Sequence, residues 1–341
     1  MRILLLTPFY LDLYKDIVQE LERQGHSVFV LEDKPLLPFD MTEDVEIWKR
    51  LYIKMRQPYR RLWRHRFNTI ADLHAPFDIL FCIQGLSFYP GLQTELRRCN
   101  PTLKSVLYVW DSNKYKNYFF YKDLFDKVYT FDLQDSIDFP NVKYLPFFWV
   151  PFEDAGRRNY SLSMIGSEHD GRCAIVEKII PQLMRADMRF YIKIVIGKPK
   201  LPKNYIKKLI YLMAKHKEFE MKMDLYKKRI QKSLFVEDVI PSEKVMRIIL
   251  ESDAILDTDR DIQTGVTPRV IWALAAGKKI VTTNSSIKFQ PFYNEKQISI
   301  IDREDPVLDL SFLTQNNLSF PISQYIKKLR IDNWVRNFTM F

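Results

Sequence analysis

The densest chemistry in the chain lies in Asp257-Thr258-Asp259-Arg260-Asp261-Ile262-Gln263-Thr264-Gly265-Val266-Thr267-Pro268-Arg269, directly after a short apolar run. Thr267-Pro268 reads as an N-cap and first-turn pair opening a helix that stops at Gly277. A loop carrying Gly265 into a helix N-terminus offers unbonded backbone N–H groups at the positive end of the helix dipole, an arrangement that suits a phosphate or diphosphate. Arg269, in the first turn, can add a bidentate contact. A plain capped helix with Arg269 as a surface charge explains the same residues.

A second candidate loop is Ile165-Gly166-Ser167-Glu168-His169-Asp170-Gly171-Arg172. Gly166 permits close backbone approach, and Ser167 with Arg172 can hold diphosphate oxygens. His169 is a general base or a phosphate contact, or simply a solvated loop histidine. Asp111 follows a buried apolar run, where a carboxylate can take a proton from a hydroxyl; its competing role is to cap a helix near Tyr115. Asp132 and Asp135 read as caps or surface charges. Thr7-Pro8-Phe9-Tyr10 and Gln84-Gly85 also follow apolar runs and are expected to line the opposite, acceptor side of a site. The first run is not followed by G-x-G-x-x-G, which argues against a dinucleotide cofactor.

Short apolar runs alternating with helix-length amphipathic stretches must position these residues, which is the pattern of a parallel sheet covered by helices. Strands are expected at Ile3 to Leu6, Ser27 to Leu31, Ile79 to Ile83, Ser105 to Val109, Lys127 to Thr130 and Val142 to Leu145. A Pro-punctuated aromatic stretch around Phe147-Phe148-Trp149-Val150-Pro151 reads as a linker, after which the alternation restarts. The second set of strands is Tyr160 to Ile165, Phe190 to Ile196, Asp253 to Leu256, Lys279 to Thr282 and Ile298 to Ile301. The fold class is therefore α/β, with a first domain over 1–150, a second over 151–320, and apolar helical stripes over 321–341 that return to the first. Ligands of such sheets lie beyond the carboxyl ends of the strands, so the cleft between the domains is the expected site.

The stretch Gln263 to Arg269 through Ala275-Ala276-Gly277-Lys278-Lys279-Ile280-Val281-Thr282-Thr283-Asn284 resembles the C-terminal nucleotide-sugar half of GT-B glycosyltransferases. More narrowly, it is similar to a bacterial branch of CgeB-like and lipopolysaccharide- or capsule-biosynthesis transferases. Tyr108-Val109-Trp110-Asp111-Ser112, Phe131-Asp132-Leu133-Gln134-Asp135, Leu145-Pro146-Phe147-Phe148 and Ser163-Met164-Ile165-Gly166-Ser167 follow in family order over most of the chain. The resemblance implies two Rossmann-like domains facing a central cleft and transfer of a sugar from a nucleotide-diphosphate sugar to a glycan or lipid-linked hydroxyl acceptor. It implies donor contacts from Gly166, Ser167, Arg172, Gln263, Gly265, Thr267, Arg269 and Trp272, catalytic roles for Asp111 and His169, and an acceptor side at Thr7, Pro8, Tyr10, Gln84 and Gly85. Retaining members often carry a glutamate where this chain has Trp272; an indole cannot accept a ribose hydroxyl proton, though it can stack on a ring. Asp257 and Asp259 match an Asp-x-Asp metal motif, but a GT-B site neutralises the leaving diphosphate with a helix dipole and basic side chains. No essential metal or other cofactor is expected.

Of 341 residues, Lys and Arg number 52 against 42 for Asp and Glu, and the net charge of +10 favours an anionic partner. Three cysteines without a CxxC pair indicate a reducing compartment, and neither a signal peptide nor a long apolar span is evident, so a cytoplasmic location is expected. Trp48 to Arg66 interleaves eight basic residues with Trp48, Tyr52, Tyr59 and Trp63. That pattern suits peripheral contact with an anionic membrane, or a solvated helix whose aromatics pack inward. Nucleic acid is not an expected partner, although a nucleic-acid-binding or modifying protein using this segment is the alternative function class. A two-lobed sugar-binding protein is a third, disfavoured because such proteins are exported.

Overall fold

The computed structural model describes residues 1–9, 12–33, 76–88, 90–153, 156–169, 171–199, 205–315 and 320–341. The basic aromatic segment 48–66 and Tyr10 lie outside the described residues. Among the described residues, twelve strands form two parallel sheets. The first contains β1 (Arg2–Thr7), β2 (Ser27–Glu32), β3 (Ile79–Ile83), β4 (Lys104–Val109), β5 (Lys127–Thr130) and β6 (Val142–Tyr144), in the order β2-β1-β3-β4-β5-β6. The second contains β7 (Tyr160–Ser167), β8 (Phe190–Val195), β9 (Phe235–Val236), β10 (Ser252–Asp257), β11 (Lys279–Thr282) and β12 (Ile298–Ile300), in the order β12-β11-β10-β7-β8-β9. Strands such as Ile79–Ile83 are buried at every position, as a sheet covered on both faces requires. In register, Leu4 pairs with Phe29 on one side and Leu80 on the other.

Helices α1 (Leu13–Arg23), α2 (Pro90–Cys99), α3 (Leu133–Asp138), α4 (Arg172–Arg185), α5 (Tyr205–Ile230), α6 (Ser242–Leu250) and α7 (Pro268–Ala275) make the crossovers. Strand order reverses between β1 and β3 in the first sheet, and between β7 and β10 in the second. Those switch points leave crevices at the strand carboxyl ends where ligands settle. No helix among the described residues is long and apolar enough to cross a membrane.

One apolar cluster unites the lobes, running from Ile3 and Tyr108 through Phe147 and Trp149 to Val266, Ile271 and Trp334. The outer face of each sheet has its own cluster. After α8 (Leu310–Thr314), the chain returns through α9 (Gln324–Lys328), α10 (Ile331–Trp334) and α11 (Arg336–Thr339) onto the first sheet. Trp334 is fully buried and its indole N–H donates to the Pro146 carbonyl at 2.9 Å. Phe338 stacks on Phe81 with ring centroids 4.2 Å apart. Trp149 exchanges backbone hydrogen bonds with Leu329 and Ile331, so linker and C-terminal strap are stitched together.

Candidate functional site

A cavity of about 120 Å³ opens at the β7/β10 switch point. Gly166, Ser167 and His169 reach it from the loop after β7, and Pro268, Arg269 and Trp272 from the start of α7. Val239 and Ile240, ahead of α6, and Leu13 of the first lobe add apolar wall. The sequence-predicted donor residues Gly166, Ser167, Arg172, Arg269 and Trp272 thus meet in one place, with His169 beside them. The volume is below the ~300–1,000 Å³ of whole small-molecule sites, so this cavity has the size for one part of an extended ligand rather than for all of one.

Arg269 is the cavity's most suitable anion contact. Its Nη2 donates to the fully buried Asp257 carboxylate at 2.9 Å, while its Nε–H is buried with no hydrogen-bond partner. An unmet buried donor costs about 1–3 kcal/mol, and an anionic ligand would meet it. Thr267 occupies the N-cap position of α7 without a side-chain cap bond; its hydroxyl donates instead to the same Asp257 oxygen at 2.7 Å. The Trp272 indole N–H donates to the Phe148 carbonyl at 3.0 Å, tying α7 to the linker.

Two expected diphosphate contacts have other occupations. Arg172 is buried, and its guanidinium donates to the Thr258 hydroxyl at 2.6 Å, the Thr258 carbonyl at 2.7 Å and the Ser167 carbonyl. It clamps the ends of β7 and β10 together and acts on the cavity through its walls. A Cβ on Gly166 would stand 2.6 Å from its Nη1, so that glycine makes room for the clamp.

Gly265 likewise faces protein. Its N–H points to Asp132 Oδ2 at 3.3 Å, and the Thr264 N–H and hydroxyl donate to the same carboxylate at 2.8 and 2.5 Å. A Cβ on Gly265 would meet the Phe131 ring at 2.4 Å. Asp132 also accepts from Gln134 N and so caps α3. The amides expected to receive phosphate are therefore filled by a carboxylate of the other lobe, and Asp132 is a clasp as well as a cap.

Asp111 lies where that clasp brings the lobes together. One carboxylate oxygen accepts from Gln84 Nε2 at 2.7 Å and the Tyr118 hydroxyl at 3.3 Å; the other accepts from Gln263 Nε2, of the second lobe, at 3.3 Å. The bonds go to side chains, so the capping role is not the one adopted. Burial raises the Asp111 pKa, opposed by Arg260 and by the bonds from Gln263, Tyr118 and Gln84. The Arg260 guanidinium lies over the Tyr115 ring at 4.4 Å, another lobe-to-lobe contact beside it.

Among the described acceptor-side residues, Gln84 hydrogen-bonds to Asp111. It is 3% exposed, sits at φ 69°, and also accepts from Trp110 N at 3.2 Å. Thr7 is completely buried with its hydroxyl on the Pro8 carbonyl, which corrects its expected place on the cleft wall; Pro8 is half-buried beside it. Gly85 adopts φ 77° in a turn packed against Cys82, Phe88 and Leu107, so its need for glycine is conformational. That turn is gripped by Asp33, whose carboxylate accepts from Leu86 N and from Ser87 N and Oγ at 2.6–2.7 Å. Burial pushes Asp33 up to about 6 despite these bonds.

Sequence reasoning passed over Asp33 and treated Asp135 as a cap or surface charge. Asp135 is buried, accepts from Asn113 N at 2.7 Å through one oxygen and leaves the other without a partner. Burial pushes it up to about 7. The available signal was positional, since Asp33, Asp111 and Asp132 all stand just beyond strand ends. In the Asp-x-Asp match, Asp257 is bound by Thr267 and Arg269, and Asp259 by the Thr283 hydroxyl at 2.6 Å and Arg303 Nη2 at 2.5 Å.

Two parallel six-stranded sheets with a C-terminal return define the GT-B architecture, and comparison of the fold with solved structures agrees. An alpha-glucosyltransferase in complex with UDP and a 13-mer DNA containing an HMU base is similar at TM-score 0.51 and 11% identity, over 98% of this chain and 95% of that one. An alpha,alpha-trehalose-phosphate synthase (UDP-forming) from Burkholderia vietnamiensis is similar at TM-score 0.57 and 10% identity, over 99% and 96%. The Arabidopsis thaliana protein UGT89C1 complexed with quercetin is similar at TM-score 0.50 and 10% identity, over 99% and 98%. No family model and no curated relative matches the sequence.

Proposed function

We propose that this protein is a glycosyltransferase that moves a sugar from a nucleoside diphosphate donor to a hydroxyl acceptor. The observation that carries the reading is Arg269: a guanidinium at the N-terminus of α7, with a buried Nε–H lacking a partner, on a cavity at the switch point. The donor's diphosphate lies against that group, Ser167 and the positive end of the helix, with apolar wall from Val239, Ile240 and Trp272. Asp111 takes the acceptor proton as the acceptor oxygen bonds to the anomeric carbon. The bond from that carbon to the β-phosphate oxygen breaks, and its electron pair leaves with the nucleoside diphosphate. Charge grows on the leaving diphosphate, where the preorganised guanidinium and dipole stabilise it. A glycan or lipid-linked alcohol at a membrane surface is the acceptor setting that the sequence resemblance favours.

Uridine diphosphate sugars are the first donors to try, because two of the similar structures are described with UDP. Incubating the full chain with UDP-, GDP- and ADP-sugars and following nucleoside diphosphate release tests the reading. Release from one donor class, accelerated by a hydroxyl acceptor, is the expected result. No release from any class, together with no thermal stabilisation by a nucleoside diphosphate, would overturn it.

A further inference from the structure

Among the described residues, Thr7 is buried and Gly85 is packed within its own turn, so neither offers the acceptor a wall. Such a wall exists across the cleft. Beyond β10, β11 and β12 lies an open cleft of about 420 Å³, inside the size range of small-molecule sites and larger than the cavity at Arg269. Gln263 lines this cleft and donates to Asp111 at 3.3 Å, which links the proposed base to the cleft through one side chain.

We propose that this cleft is the acceptor subsite and that it selects a polyol carrying no negative charge; the proposal rests on the glycosyl-transfer reading above. A polyol needs donors and acceptors interleaved on a fixed wall, and the cleft has them. Asp259 is held by the Thr283 hydroxyl and Arg303. Asn284 donates to the Gly265 carbonyl at 3.1 Å and accepts from Ser286 N at 3.0 Å, so its amide is locked. The Ser286 hydroxyl makes no bond within the described residues and is available to a ligand. Charge sets the selectivity. Asp259, Asp261 and Asp302 line the cleft against the Arg303 guanidinium, which is paired with Asp259 and lies 3.9 Å from Asp261, while the charge of Arg260 acts on Asp111. On a chain of net charge +10, this is a local negative field that repels a phosphorylated or carboxylated sugar.

Ligand-observed saturation-transfer NMR on the full chain tests this with glucose, glucosamine and glucose 6-phosphate, each with and without UDP. Glucose and glucosamine are expected to take up saturation, and glucose 6-phosphate to bind at least roughly tenfold more weakly. Ser286→Tyr, which fills the cleft, should abolish the sugar signals while the UDP signal persists. Asp261→Lys, at a side chain that is 85% exposed, should narrow or reverse the preference against the phosphate without disturbing the fold. No response to any sugar, undiminished signals in Ser286→Tyr, or tightest binding by glucose 6-phosphate to the wild type would overturn the proposal. Absence of UDP binding would remove the donor assignment alone, because the sugar signals and their loss in Ser286→Tyr decide the cleft independently.

Discussion

At the scale of single residues, burial raises the pKa of both Asp111 and Asp135, with different consequences. Asp111 is desolvated yet held by three side-chain donors, one from the facing lobe. A base with a raised pKa accepts a proton more readily, so Asp111→Asn should lower kcat by about 10²–10⁴-fold while the thermal shift given by a nucleoside diphosphate is unchanged. Steady-state kinetics and melting curves on the same preparation check this. Asp135 is buried with one oxygen unpartnered, and its pKa is pushed up to about 7. A folded-state pKa above the unfolded value gives stability that is complete below the ordinary carboxylate value of 3.8 and disappears as pH rises through about 7. Asp135→Asn should therefore flatten the fall of Tm over that window and raise Tm above neutral pH, as read by melting curves across pH. An unchanged slope would mean that Asp135 ionises normally.

At the scale of elements, the loop between β10 and α7 has two duties. Its C-terminal end opens the helix toward the Arg269 cavity, and its middle binds the first lobe through Asp132 and Phe131. Gly265→Ala drives a methyl into the Phe131 ring, a contact of 2.4 Å that no Cβ tolerates. Thermal denaturation should show a loss of about 1–3 kcal/mol, with Phe131→Leu in the same chain recovering part of it. Equal losses with and without the second change would mean that the ring is not the obstacle. This loop also shows where the sequence was legible. Thr267-Pro268 announced the start of α7, and buried apolar runs announced the longer strands. The two-residue β9 is too short to carry a period. The clasp was hidden because Thr264 and Asp132 are 132 residues apart, and local pattern does not encode that pairing. The same gap hid the partners that Gly265 finds in Asp132 and Phe131 and that Arg172 finds in Thr258.

At the scale of the molecule, two sheets are joined by one apolar cluster and a C-terminal strap rather than by a free hinge alone. Trp334 is the strap's anchor, fully buried against Tyr108, Phe148 and Phe338 with its N–H on Pro146. Trp334→Ala should cost about 3–5 kcal/mol in chemical denaturation and weaken donor and acceptor binding together, since both walls of the cleft depend on the lobes' relative placement. Loss of stability with undiminished binding would show that the clasp at Asp132 suffices to hold the lobes.

Glycosyl transfer at this site requires that a nucleoside diphosphate bind at Arg269. Titrating UDP into wild type and into Arg269→Lys, which keeps a cation beside Asp257 but removes the Nε–H, measures this directly by calorimetry. A diphosphate site at Arg269 requires UDP binding to the wild type and about tenfold weaker binding to the variant, a difference near 1.4 kcal/mol. Equal affinity in the two proteins, with both equally stable, would contradict it.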